Sequence, residues 1–293
     1  MSHELRTHWP DLRLPHGVKT DSLIIPHVLA RSAVFGTLEY AGGAIRPTVS
    51  HDNPLSLDAT SQYEVEQTNG PRLSQGDADL FYWMLGRVYR DGAPPGSAQT
   101  RFKRAEALTA LGRTRGGKSD FLLENSLQRL VQAHFNFRIR DCATGEMQHW
   151  TSTRLLSASQ RPENNTTQYD YHVEFAEEVA LLLHDNSWLT MRGAVRNRFV
   201  GDSLAKGLHA YFASNKQVFA MWPETLKRLM GRETMQNSKW LRVLGAALKK
   251  ISTETGWPQC EIVQVGQHAG KVSVRKGGIR NVADAPQQIK MVS

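Results

Sequence analysis

The densest grouping of chemistry-bearing residues in the chain runs from Gly112 through Arg113, Thr114, Arg115, Gly116 and Gly117 to Lys118 and Ser119. Its spacing satisfies the pattern of a phosphate-binding loop, in which backbone N–H groups cradle phosphates while the Lys and Ser meet the outer phosphates and their magnesium. Leu181, Leu182 and Leu183, followed by His184 and Asp185, resemble the acidic strand that would hold that metal. Such a loop needs a buried strand directly before its first glycine, so that the N–H groups converge at a helix N-terminus. The stretch from Phe102 to Leu111 instead has helical propensity and no β-branched run. The alternating β/α units of a nucleotide-binding sheet are missing too, which leaves a nucleotide hydrolase as the weaker reading. The same glycines and cations suit the turn of a helix-turn-helix, with Arg113, Arg115 and Lys118 facing phosphates.

No other catalytic arrangement emerges. Asp77 and Asp79 read as favourable charges in the first turn of a helix. The 11 His residues are scattered without the i, i+4 spacing of a helical metal site. Cys142 and Cys260 are too few and too separated for a disulfide framework or a paired-cysteine zinc site. The expectation is a protein without metal, cofactor or enzymatic activity. No window approaches the roughly 18 uninterrupted apolar residues of a membrane helix, and Met1 to Pro10 lacks the apolar core of a secretory leader. A cytoplasmic protein with no membrane contact is expected.

Charge distribution points to nucleic acid. Residues 186–293 hold 17 Lys and Arg against 6 Asp and Glu, whereas residues 1–185 hold 19 against 22. The second part therefore carries the whole positive excess, as a phosphate-neutralising surface would. Two periodic segments could read bases. In the first, which starts after Lys118 and runs to about His134, Leu123, Leu127, Leu130 and Val131 share one face. Opposite them fall Lys118, Asn125, Gln128, Arg129 and Gln132, several of which can bond purine edges bidentately in the major groove. In the second, about Asn237 to Ser252, Leu241, Leu244, Leu248 and Ile251 oppose an acid-free face of Lys239, Arg242, Ala246 and Lys249. Lys271, Arg275 and Lys276 on a following hairpin are placed to reach flanking phosphates.

The elements that position these faces recur. Residues 1 to about 60 read as a mostly irregular arm, apart from an apolar stretch around Leu23 to Phe35. A Gln-Tyr-acid strand opens each of two units, at Gln62 and at Gln168. Three helices and a β-hairpin follow the first, and four helices and a hairpin the second. The expected class is α+β, mainly helical, with two tandem winged-helix domains over 61–160 and 165–276 and a C-terminal tail over 277–293.

At these residues the chain resembles the TrfA-type replication initiators of broad-host-range plasmids. The likeness runs through Arg31 to Phe35, Leu111-Gly112 with the helix to Leu130, and Leu204-Ala205 through Tyr211 to Ser214 and on to Leu229-Met230-Gly231. It covers roughly residues 30 to 275. It implies two winged-helix domains that bind directly repeated origin sites (iterons) in double-stranded DNA and help open the adjacent AT-rich duplex. It further implies recruitment of a host initiator and the replicative helicase, and both monomer and homodimer forms. One departure counts against sliding-clamp contact: His3, Glu4, Leu5, Arg6 and Thr7 stand before Trp9-Pro10 where family members can carry Gln-Leu-Ser-Leu-Phe. A transcriptional repressor built on the same domains is the alternative the residues leave open.

Overall fold

Apolar residues close the chain around two cores, and the segments between them determine which helices reach the surface. The computed structural model describes residues 14–15, 17–40, 45–90, 98–140, 145–160, 170–183 and 187–277. Strand β1 (Ser22–Pro26) leads into a single helical turn, α1 (His27–Ala30), then β2 (Phe35–Gly36), β3 (Thr48–Val49) and β4 (Leu55–Leu57). The long strand β5 (Tyr63–Pro71) and short β6 (Leu73–Ser74) precede α2 (Gln75–Arg90). Next come β7 (Gln99–Phe102), α3 (Arg104–Ala110), α4 (Gly117–Gln132), β8 (His134–Arg140) and β9 (Met147–Arg154). Strands β10 (Leu156–Gln160) and β11 (Tyr171–Phe175), helix α5 (Glu177–Leu181), strand β12 (Trp188–Arg192) and helix α6 (Gly193–Asn197) follow. The chain continues with α7 (Ser203–Ser214), α8 (Pro223–Leu229), α9 (Asn237–Thr255) and the hairpin β13 (Gln259–Ile262) and β14 (Val272–Arg275).

The first core extends from Val18 to Met191, joined by Ala210. Helix α2 runs through its centre, with Ala78, Leu80, Phe81, Met84 and Leu85 all buried, as expected for a helix that is apolar on nearly every side. Gly86 lies where α2 meets β1: a Cβ there would stand 2.1 Å from the Ser22 carbonyl oxygen, so the close approach requires glycine. An antiparallel sheet covers one side, with β8 between β5 and β9. Phe135 and Phe137 alternate inward along β8. The second core runs from Phe199 to Val274.

Three expectations are corrected. The first sixty residues are not a separate arm, because the expected apolar stretch from Leu23 to Phe35 is built into the first core, and β1 pairs antiparallel with β12. The second core begins later than residue 165, since β11 pairs with both β10 and β7 and belongs to the first core. "Mainly helical" understates the strands, and the architecture is mixed helix and strand. Gln168 and the 278–293 tail lie outside the described residues.

A common order of elements stands on each core. A buried helix (α2, α7) is followed by a short extended segment (β7, or Met221 bridged to Val272), two further helices (α3–α4, α8–α9) and a hairpin (β8–β9, β13–β14). The turn after α3 is closed by Gly112 in the left-handed region (φ 65°), with Gly112 N donating to Thr109 O and Arg113 N to Leu108 O. Gly231 (φ 65°) closes the turn after α8 in the same way, with Gly231 N on Arg228 O and Arg232 N on Lys227 O. Both are Schellman stops, which need a residue free to adopt positive φ.

The two cores are tied by buried polar contacts. Asp79 on α2 accepts from Arg196 Nε on α6 at 2.5 Å and from Lys206 Nζ on α7, while Arg196 Nη2 donates to Gln75 Oε1 at 2.8 Å. Arg196 is 1% exposed. Burial pushes the Asp79 carboxyl up and the two cations more than reverse this, holding it below the usual range. Thr37 N donates to Met230 O at 3.1 Å, and Asn197 Nδ2 to Ala110 O at 3.0 Å. Asp79 is therefore a junction residue rather than a solvated first-turn charge. Asp77 is buried too, and accepts from the Ser74 backbone N–H and hydroxyl, both at 2.9 Å.

Candidate nucleic-acid interface

Helix α9 buries a stripe of Trp240, Leu244, Ala247, Leu248 and Ile251, the i, i+4, i+7, i+8, i+11 spacing of one helical face. Trp240 Nε1 donates to Pro223 O at 3.0 Å, which fixes the rotation of α9 against α8. With that face inward, Lys239, Arg242, Ala246 and Lys249 are all exposed. No described group forms a hydrogen bond or ion pair with the three cationic side chains. Lys250, on the flank, reaches Asp202 at 3.7 Å. One sequence expectation is corrected: Leu241 is 42% exposed, because the stripe starts at Trp240 and places Leu241 on the flank.

The adjacent hairpin pairs Gln259 with Arg275 and Ile262 with Val272. Arg275 is exposed. Lys271 lies 5.1 Å from the centroid of the Trp222 ring, a cation–π contact that holds the hairpin loop beside the start of α8. Lys276 does not project outward as expected. Its ammonium donates to Asn215 O and, at 3.4 Å, to Phe212 O, capping the carbonyls at the end of α7. Burial, then the Arg31 charge, lowers its pKa.

Helix α4 buries Leu123, Ser126, Leu127 and Leu130, with Val131 half-buried. Lys118, Gln128 and Gln132 are exposed and Asn125 half-buried; no described group bonds to their side chains. In the turn before it, Arg115 is exposed and Arg113 half-buried. Arg129 is a correction. Its guanidinium turns back to Asp77 Oδ1, at 2.6 Å from Nη2 and 3.0 Å from Nε, beside the Ser126 hydroxyl at 2.6 Å from the same oxygen. A buried carboxylate claims the nearest cation, because an unpaired charge there would be costly. The acids of α4 are likewise engaged: Arg104 on α3 lies 2.7 Å from Glu124 and 3.8 Å from Asp120. The outward face of α4 therefore carries no acid.

Two solved structures are similar to about three quarters of the chain. A structure of domains 2 and 3 of RctB has a TM-score of 0.49 at 11% identity, over 77% of this chain and 85% of that one. A second structure of RctB domains 2–3 has a TM-score of 0.47 at 11% identity, over 74% and 80%. No protein-family model and no curated protein matches the chain.

Sequence reasoning missed the exposed apolar residues of α4. Phe121 is 63% and Leu122 43% exposed, on the side where Lys118, Asn125 and Gln128 lie. The signal was present, since both fall out of phase with Leu123, Leu127 and Leu130. Around the glycines that match the phosphate-loop pattern, a helix (α3), not a strand, precedes Gly112, and nothing lies within 4 Å of a Cβ placed at Gly116 or Gly117. Among the described residues no cluster of three or more His, Cys, Asp or Glu is placed to hold a metal ion, and no helix is long and apolar enough to cross a membrane.

Proposed function

We propose that this protein binds double-stranded DNA by sequence through two winged-helix units, with α4 and α9 as the recognition helices, and acts as the initiator of replication of a plasmid-type replicon. The observation that carries the DNA-binding reading is the exposed, acid-free face of Lys239, Arg242, Ala246 and Lys249 on α9, flanked by Arg275 of the hairpin. Cations without a partner among the described residues, beside a small residue, suit close approach to a groove and its phosphates. The resemblance of its ordered motifs to those of TrfA-type initiators supports directly repeated origin sites as the target, with host initiator and helicase as partners. The helix before Gly112 supports a non-enzymatic role for the glycine-rich turn: Lys118→Ala leaves nucleotide binding unchanged on this reading.

The test is salt-dependent binding to origin duplexes. Neutralising Lys239 or Lys249 weakens binding to all sequences and reduces the slope of log K against log salt by roughly one unit for each phosphate that is no longer neutralised. Unchanged slopes in both variants would refute the assignment of this face. Replication of a plasmid carrying the gene and its flanking DNA separates an initiator from a repressor.

A further inference from the structure

We infer that the two recognition helices divide the readout, α4 reading an A·T segment of the site with Phe121 against a thymine methyl, and α9 reading a segment that contains guanine. This rests on the DNA-binding reading above. Burial sets the register between the helices. Leu123, Ser126, Leu127 and Leu130 of α4 correspond in spacing to Leu244, Ala247, Leu248 and Ile251 of α9, buried position for buried position.

In that register the outward positions pair as Lys118 with Lys239, Phe121 with Arg242, Asn125 with Ala246, Gln128 with Lys249, and Gln132 with Thr253. The chemistry at matching positions differs. Arg242 is the side chain suited to the guanine O6 and N7 acceptors, whereas Asn and Gln match the adenine N6 donor and N7 acceptor, and an apolar ring matches the thymine C5-methyl. The one arginine of α4, Arg129, is held by Asp77, so the guanidinium that would read guanine is withdrawn from this helix, and Lys118 in its first turn is the one cation left on the outward face. Phe121 stands 63% exposed among uncommitted amides and one cation, where a methyl group in the groove would cover it. Both acids in the same two turns are held aside by Arg104.

The experiment uses the full chain and a duplex selected from random sequence by the wild type. Each thymine is replaced in turn by deoxyuridine, which lacks only the methyl group, and binding is measured for wild type and Phe121→Ala. Thermal melting and sedimentation confirm equal fold and mass. At least one replacement in the segment contacted by α4 weakens wild-type binding about fourfold, the value of one buried methyl, and leaves Phe121→Ala unaffected. Selection with Phe121→Arg shifts preference at that base pair toward guanine. The inference is overturned if wild type is indifferent to every methyl, if both proteins respond alike, or if Phe121→Ala changes self-association and not base preference. A selection that yields no preferred sequence would instead refute the DNA-binding reading itself.

Discussion

Replacing Asp79 with Asn tests whether the two cores are joined through a buried ionic contact. Asp79 contacts Arg196 and Lys206, and all three side chains are almost fully buried. At contact distance and an effective dielectric of about 20, one such pair attracts by roughly 6 kcal/mol. Mutual repulsion of the two cations and desolvation of several kcal/mol per ion offset most of the gain, so the intact cluster adds little net stability. Removing the carboxylate charge leaves both cations buried and uncompensated, and the expected loss is about 3–5 kcal/mol. Urea unfolding followed by tryptophan fluorescence should show the midpoint falling by on the order of 1 M. The variant with Asp79→Leu, Arg196→Met and Lys206→Met together should recover most of that loss, since apolar replacement of a whole buried cluster is often neutral. A loss below about 1 kcal/mol in Asp79→Asn, or a triple variant no more stable than the single one, would refute the argument.

Other outcomes follow from the same packing. Arg129→Ala should destabilise the fold by about 1–3 kcal/mol by stripping a charged partner from buried Asp77, and any change in DNA binding should track the melting temperature. Gly86→Ala should destabilise by at least about 1–3 kcal/mol, because its Cβ would overlap the Ser22 carbonyl. Gly245→Ala on α9, with nothing within 4 Å, should instead stabilise by up to about 1 kcal/mol; calorimetry compares the two. His209 is held down to about 3 by burial, then by the Arg196 charge. The unfolded chain takes up a proton below about pH 6.5 that the folded chain refuses until about pH 3, so stability falls across that window, by up to about 5 kcal/mol at its acid end. His209→Phe, which keeps an aromatic ring beside Phe199 and Trp257, should flatten that dependence in urea titrations between pH 7 and pH 4.

Local order was legible in the sequence where a single helix or turn decides it. Periodic leucines marked α4, and Gly112 marked the turn before it, because each depends on side chains within a few residues. The basic face of α9 was legible for the same reason: Lys239, Arg242 and Lys249 oppose a continuous apolar stripe. What only the tertiary structure decided depends on distant partners. That β1 belongs to the first core requires β12, more than a hundred residues later, and no local pattern announces such a pairing. Whether a polar residue on an amphipathic helix faces solvent was equally undecidable from periodicity. Gln128 and Arg129 are neighbours on α4, yet Gln128 is exposed while Arg129 folds back to a carboxylate contributed by α2. Lys276 likewise ends on the carbonyls of α7. Periodicity assigns a side chain to a face, but the free energy of a buried, unpaired charge determines which cations remain outside, and that depends on where the rest of the chain has placed its acids and carbonyls.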